Sequence, residues 1–212
     1  MKIRIIIFVL LIFWLTDTSA QTDPAALKIL DRFSANALSA PSVSIRFQLV
    51  NDDLAENSSD TLTGSVIISK ENYKLDLPNN TVWFNGNESW SYLEAEKEVT
   101  ITRPDKKDNS FQSKPSGIFT LHKKGYKTRL IDENASAWII DLYPEDVKSE
   151  IIRIRLTIGK TATDLKRIEY KRNDGVVITI LVTDYNLKLK PDSETFQFRS
   201  GKYKDVEIVD MR

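Results

Sequence analysis

Hydrophobic and polar residues alternate along this chain with two different periods. Over residues 26–37 apolar side chains recur every three or four positions, which predicts an amphipathic helix that begins at Pro24 and ends before Pro41. From Ser42 the period becomes two, and residues 43–49 have the alternation of a half-buried strand. The apolar stripe of the helix therefore needs a sheet face to cover.

The two-residue period returns in short segments up to the end of the chain, separated by turns rich in Asn, Asp, Gly and Pro. It predicts strands at residues 62–68, 73–77, 82–84, 90–92, 99–101, 126–130, 138–142, 152–158, 166–170, 176–185, 196–198 and 206–209. A short apolar segment around Ile118 predicts a second helix. The sum is a mainly β (α+β) fold, in which a curved antiparallel sheet forms an incomplete β-barrel and the helices plug its concave side.

One helix of about fifteen residues cannot cover the whole dry face of so large a sheet. We therefore expect unfilled apolar volume on the concave side, large enough for a ligand. The alternative is that the same side chains only fill a closed core, which periodicity alone favours. The candidate cavity-lining residues are Phe47, Leu49, Val66, Ile68, Tyr73, Leu75, Trp90, Tyr92, Phe119, Trp138 and Ile140.

The first twenty residues have the pattern of a secretory signal peptide. Lys2 and Arg4 precede an unbroken apolar run over residues 5–15, and small residues lead to Ala20. As a helix this run spans only about 16 Å, against roughly 30 Å of bilayer hydrocarbon. We expect cleavage after Ala20, with one domain over residues 21–212.

Charge and cysteine content restrict the location and the partners. The chain has 30 basic and 30 acidic residues, and removing Lys2, Arg4 and Asp17 with the signal peptide leaves 28 and 29. This balance argues against nucleic-acid binding, which is driven by a basic excess. Cysteine is absent, which excludes disulfides and a lipidated N-terminal cysteine. We expect a soluble protein of the periplasm that is a monomer.

The sequence has no motif that indicates catalysis, a cofactor or a metal. Its seven glycines form no phosphate-binding loop, and no serine lies in a G-x-S-x-G turn. His122 is the only histidine and has no Asp or Glu near it in sequence, so neither a catalytic nor a metal-binding role is expected for it. The acidic residues show no paired pattern. The predicted function is therefore binding rather than catalysis, without a cofactor.

The order of these features resembles the outer-membrane lipoprotein carrier (LolA) family over nearly the whole mature chain. The most specific piece is Asn85-Gly86-Asn87-Glu88-Ser89-Trp90-Ser91-Tyr92. The other pieces are residues 64–70 followed by Tyr73, Pro115-Ser116-Gly117-Ile118-Phe119, Leu142-Tyr143-Pro144, Asp174-Gly175 and Phe196-Gln197-Phe198.

The resemblance implies a half-barrel whose apolar cavity takes the acyl chains of lipoproteins released from the inner membrane. It also implies three partners: acylated lipoproteins, an inner-membrane ABC-type release complex and an outer-membrane acceptor. In the family an arginine on the second strand, followed by proline, is linked to closure of the helical lid. Lys70 and Glu71 stand at the matching positions, so Lys70 is the candidate latch, without the planar donor fork of arginine.

Two further functions stay open. The same half-barrel occurs in periplasmic modules that sense a lipid or peptide and control a membrane-bound partner, and fold does not separate these from carriers. An envelope enzyme ranks below both, because the sequence offers no cluster of acid, base and nucleophile.

Overall fold

The computed structural model describes residues 22–104 and 114–212, so the predicted signal peptide lies outside the described residues. One α-helix, α1, spans Pro24–Ser39. The strands are β1 Val43–Asp53, β2 Ser58–Ser69, β3 Asn72–Leu77, β4 Asn80–Phe84, β5 Ser89–Leu93, β6 Glu98–Thr102, β7 Tyr126–Glu133, β8 Ala137–Pro144, β9 Ile151–Gly159, β10 Leu165–Arg172, β11 Val176–Asn186 and β12 Glu207–Asp210. Short 3₁₀ turns occupy Pro115–Phe119, Leu121–Lys123, Ser193–Phe196 and Ser200–Lys202.

All twelve strands belong to one open, curved sheet in the order β12-β6-β5-β4-β3-β2-β1-β11-β10-β9-β8-β7. Each neighbouring pair is antiparallel except β12 and β6, which are parallel. The long central strands β1 and β11 join two meanders, β2 to β6 on one side and β10 to β7 on the other. The predicted mainly β fold with an unclosed sheet is confirmed.

The strand register defines two faces. We call the face that packs against α1 the inner face and the opposite one the outer face. On the inner face a single apolar row crosses seven strands, each residue directly opposite the next: Leu62, Leu49, Ile180, Ile168, Leu156, Ile140 and Leu130. Opposed side chains on one face of a sheet are in contact range, so this row forms a continuous apolar surface.

The stripe predicted for α1 covers this surface. Its buried residues are Ala26, Leu30, Phe33, Ser34 and Ala37, spaced by three and four, and the apolar members pack in one core with the inner face. The helix begins at Pro24 and ends two residues before Pro41, as predicted, and Asp23 caps its first turn.

Two predicted elements differ from the structure. The segment around Ile118 forms 3₁₀ turns rather than an α-helix, with Gly117 N donating to Lys114 O and Thr120 N to Gly117 O. It is too short to repay the nucleation of an α-helix. The strand predicted at residues 196–198 is also wrong. Asp192 accepts hydrogen bonds from the Thr195 N–H and hydroxyl, both at 2.8 Å, and this cap turns Ser193–Phe196 into a 3₁₀ helix.

Candidate functional site

The candidate site is the inner face beneath α1. Eight of the predicted lining residues lie on it, namely Phe47, Leu49, Val66, Ile68, Tyr73, Leu75, Trp138 and Ile140, and Phe119 packs into the same core from the 3₁₀ segment. The structure therefore brings nine of the eleven predicted lining residues together on one apolar surface.

Protein side chains fill the space beneath α1 in this structure. Val66 and Ile140 have no exposed surface, and Leu75 and Phe119 are 1% exposed. The expected unfilled volume is therefore not present around these four residues. A ligand reaches them only if α1 or the 3₁₀ segment moves away from the sheet.

Trp90 and Tyr92 do not belong to this surface, which corrects the prediction for both. Tyr73, an inner-face residue, lies opposite Phe84, whereas Trp90 lies opposite the neighbouring residue, Trp83. Alternate residues of a strand point to opposite faces, so Trp83, Trp90 and Tyr92 are on the outer face. There the C-terminal segment covers Trp83, whose ring is 5.6 Å from that of Phe198.

The N-terminal end of α1 is fastened to the edge strand β7. One carboxylate oxygen of Asp23 accepts from Ala25 N at 2.8 Å, and the other accepts from Leu130 N at 3.1 Å. The backbone N–H of Asp23 donates to Thr128 O at 2.9 Å. Because the N–H groups of Leu130 and Ala25 donate to it, the pKa of the Asp23 carboxyl is lowered.

A histidine and a carboxylate join the middle of α1 to the segment before β7. His122 Nε2 lies 3.0 Å from Asp31 Oδ1, and the imidazole side chain is 3% exposed. Sequence reasoning missed this pair, since 91 positions separate the two residues.

The rings of Phe33 and Phe119 form the apolar counterpart of this contact, with centroids 5.8 Å apart. Beyond them, at the C-terminal end of α1, a pocket of about 230 Å³ includes Ala37, Pro41, Phe119 and Lys70 in its lining. Lys70 is exposed at the β2–β3 turn, with a φ of 56°. No described residue forms an ion pair or hydrogen bond with it, so its role as a latch stays a prediction.

A larger pocket, of about 730 Å³, opens beside the first half of α1. Thr22, Leu27 and Asp31 line it from the helix side, and the opposite wall consists of His122, Lys123, Lys124, Gly125, Tyr126 and Glu145. The lining contains two lysines and two carboxylates, so it is nearly balanced in charge. The Tyr126 ring is partly buried against the apolar core, and this burial raises the pKa of its phenol.

The described residues contain no group of three or more His, Cys, Asp or Glu side chains that could hold a metal ion. Within residues 22–104 and 114–212, no helix is long and apolar enough to cross a membrane. What the geometry offers is an apolar face, a helix that covers it, and a few polar contacts that hold the helix in place.

A family model described as outer membrane lipoprotein carrier protein LolA matches residues 16–191. No curated protein matches the chain in sequence. An uncharacterized conserved protein from Thermus thermophilus is similar in structure, with a TM-score of 0.58 at 16% identity over 88% of this chain and 99% of that one.

Two more solved structures are similar at lower scores. A LolA superfamily protein from Nitrosomonas europaea has a TM-score of 0.43 at 12% identity over 82% of this chain and 97% of its own. A chain of the MucA/MucB complex from Pseudomonas aeruginosa has a TM-score of 0.39 at 12% identity, over 83% of this chain and 62% of its own. With the family model matching most of its length, this chain belongs to the LolA family of outer-membrane lipoprotein carrier proteins.

Proposed function

We propose that this protein is a periplasmic carrier that holds the acyl chains of lipoproteins against the inner face of its sheet and ferries them from the inner to the outer membrane. The observation that carries the proposal is the apolar row from Leu62 to Leu130, which crosses seven strands beneath a single amphipathic helix. Membership of the LolA family supports the same function.

Binding in this proposal is an exchange of α1 for the ligand. Leu30 and Phe33 each contribute about 1.5–3 kcal/mol by burial on the inner face. A fatty chain gains about 0.8 kcal/mol per buried methylene, or roughly 10 kcal/mol in total. The acyl chain therefore outcompetes the apolar stripe of α1, while the polar contacts of Asp23 and Asp31 set how easily the helix leaves.

The proposed partners are those that the family resemblance implies. No phosphate-binding loop is present in the sequence, so in this proposal a partner supplies the energy for loading, by family resemblance an inner-membrane ABC-type release complex, and an outer-membrane acceptor takes the cargo. Residues 1–20 act in this proposal as a signal peptide that is cleaved after Ala20, so that the carrier works in the periplasm between them.

The decisive experiment is to purify the protein from its own envelope and identify bound molecules by mass spectrometry after organic extraction. Recovery of triacylated polypeptides supports the carrier. Recovery of one regulatory protein in a stable complex, with no lipoprotein, favours the alternative, a lipid- or peptide-sensing regulatory module of the same fold.

A matched pair of variants ties the binding to the inner face. Ile140→Trp places a large ring on the inner face, and Ile139→Trp places the same ring one residue away on the outer face. We expect Ile140→Trp to reduce uptake of a fluorescent fatty acid at least tenfold, and Ile139→Trp to leave it unchanged. Equal uptake by two folded variants, as judged by circular dichroism, would place the acyl site elsewhere.

A further inference from the structure

Three hydroxyl groups inside the molecule form no hydrogen bond with any described residue. They are Ser34 Oγ, on the buried stripe of α1, Thr128 Oγ1, on β7, and Thr163 Oγ1, in the turn between β9 and β10. All three residues are at most 2% exposed, and of the three only Thr128 is on the inner face of a strand. A buried hydroxyl without a partner destabilises the fold, so each one needs a physical reason to be there.

Thr128 lies at the end of an apolar row on the inner face. The row runs Ile178, Tyr170, Ile154, Leu142, Thr128, one residue per strand from β11 to β7. The carbonyl of Thr128 accepts from Asp23 N at the start of α1, but its hydroxyl is unmatched. A polar group therefore stands at the margin of the surface proposed to hold acyl chains.

The pocket of about 730 Å³ opens at this same margin. Tyr126 lines the pocket and also packs against the core. It precedes Thr128 by two positions on β7, so both side chains are on the inner face, about 7 Å apart along the strand. The phenol of Tyr126 is also near that of Tyr170, and burial together with this neighbour raises the pKa of Tyr170.

The charges of the pocket favour a neutral polar group over a free anion. Lys123 and Lys124 are offset by Asp31 and Glu145, and His122 is already in contact with Asp31. Acyl chains on a lipoprotein are attached through ester and amide bonds, whose carbonyl oxygens are neutral hydrogen-bond acceptors. The unpaired hydroxyl of Thr128, at the next inner-face position of β7 after the pocket residue Tyr126, is a suitable donor for one of them.

We propose that this pocket is the entrance to the inner face, and that Thr128 Oγ1 donates a hydrogen bond to an ester or amide carbonyl of the acyl ligand. The inference rests on the proposed function, since it assumes an acyl chain on the inner face. It adds where the chain enters and which side chain distinguishes an acyl linkage from plain hydrocarbon.

Ser34 provides an internal control. It is eleven positions after Asp23, so it lies roughly 16 Å along the helix from the contact with Thr128. That distance is too great for both hydroxyls to reach one linkage. Ser34→Ala therefore removes a buried unpaired hydroxyl of the same kind without touching the proposed donor.

The test compares Thr128→Val and Ser34→Ala with the unaltered protein. Methyl palmitate and an alkane of matched length are each presented from cyclodextrin, and each displaces a bound apolar dye. We expect Thr128→Val to weaken binding of the ester about three- to tenfold, the loss of one hydrogen bond, and to leave binding of the alkane unchanged. Ser34→Ala should shift the affinities for ester and alkane alike, since Ser34 belongs to the stripe of α1 that the ligand displaces, and Thr128→Ser should retain the preference for the ester.

Unfolding in urea supplies a second readout. Because the hydroxyl has no partner in the empty protein, Thr128→Val should unfold at the same or a higher urea concentration. A lower midpoint, or equal weakening of ester and alkane, would overturn the role of Thr128. Absence of binding by the unaltered protein for both probes would instead overturn the proposed function.

A bulky side chain in the pocket tests the entrance. Leu27→Trp fills the pocket from the helix, whereas Ala35→Trp adds the same ring at an exposed position of α1 that lines neither this pocket nor the one of about 230 Å³. We expect Leu27→Trp to slow the uptake of methyl palmitate at least fivefold in stopped-flow dye displacement, and Ala35→Trp to leave the rate unchanged. Equal rates in both variants would place the entrance elsewhere.

Discussion

Asp23 performs two tasks with one carboxylate. It caps the first turn of α1 through Ala25 N, and it accepts from Leu130 N on the edge strand. A capping residue normally satisfies only the N–H groups of its own helix. Here the same charge also fixes where the helix begins over the sheet, so its loss affects both the helix and its attachment.

Replacing Asp23 should therefore weaken the fold in a pH-dependent way. Asp23→Ala is expected to lower the free energy of unfolding by about 1–2 kcal/mol at neutral pH. Since the folded pKa of this carboxyl is lowered, its contribution is complete above the unfolded value of about 3.9 and disappears as the pH falls through the folded value. Urea unfolding at several pH values measures this. Asp23→Asn, which keeps an acceptor oxygen, should lose less, and a pH dependence identical to that of the unaltered protein would contradict the account.

Asp141 is an equally specific residue on the outer face. Its side chain is 1% exposed and accepts two hydrogen bonds from Arg155, at 2.7 and 2.8 Å. These bonds raise the pKa of Arg155. Residues of alternating charge lie opposite one another across four neighbouring strands, namely Arg129, Asp141, Arg155 and Glu169.

Asp141→Asn should destabilise the protein by about 2–3 kcal/mol, because a buried bidentate contact to a charged group is broken. Asp184→Asn is the control, since Asp184 forms an exposed pair with Arg46 at 3.6 Å, and such pairs contribute about 0–1 kcal/mol. Chemical denaturation of both variants compares them. Similar losses would mean that burial of the carboxylate is not what matters.

Among the secondary-structure elements, α1 is the one that the proposed function requires to move. It covers the inner face with five residues and is joined to the rest by Asp23, by the Asp31–His122 contact and by the tilted contact between the rings of Phe33 and Phe119. The strands beneath it are hydrogen-bonded to two neighbours each, with the exception of the edges. Opening of the helix therefore disrupts far fewer contacts than opening of the sheet.

Phe33→Ala should release α1 without unfolding the sheet. We expect a loss of about 3–5 kcal/mol in stability, the usual range for deleting a buried phenylalanine, with faster amide hydrogen exchange in residues 24–39 than in β1 or β11. Leu38→Ala, at a position that is 54% exposed, should change stability by less than about 0.5 kcal/mol. Uniformly faster exchange throughout the protein would show that α1 does not open separately.

The two edge strands of the sheet, β7 and β12, differ in their surroundings. At one edge, the backbone of Asp23, just before α1, is hydrogen-bonded to β7. At the other edge, the short C-terminal strand β12 pairs in parallel with β6. The segment leading to β12 is held against the outer face by aromatic rings, with Tyr203 4.7 Å from Tyr92 and 5.0 Å from Phe198. This C-terminal part lies beyond residues 16–191, the range that the family model matches.

Loss of the Tyr203 ring should free that segment. Tyr203→Ala is expected to destabilise the protein by about 2 kcal/mol, since Tyr203 contacts three aromatic rings and each pair contributes about 0.5–1.5 kcal/mol. Tryptophan emission should shift to longer wavelength as Trp83 becomes exposed. Tyr203→Phe retains the ring and should behave like the unaltered protein. An unshifted emission spectrum for the alanine variant would show that Trp83 is covered by something else.

Local patterns predicted most of the elements of this protein. Periods of three to four and of two predicted α1 and most of the strands, because helices and strands repeat at 3.6 and 2 residues whatever their neighbours are. The sequence contains no cysteine and no glycine-rich phosphate-binding motif. Disulfides, a lipidated N-terminal cysteine and a phosphate-binding loop were therefore excluded from the sequence alone, since folding cannot supply a residue that the chain lacks. Nine of the eleven predicted lining residues lie together for the same reason.

Only the tertiary structure determined which residues face and contact one another across the sheet. The face on which Trp90 and Tyr92 project depends on the β4–β5 register, which pairs Trp83 with Trp90, and a shift of one residue reverses every side chain. The contact of Asp31 with His122, the burial of Val66 and Ile140 beneath α1, and the unpaired hydroxyl of Thr128 all join residues distant in sequence. Hydrophobic periodicity is a property of one segment, whereas packing and hydrogen bonding across the sheet are properties of pairs of segments.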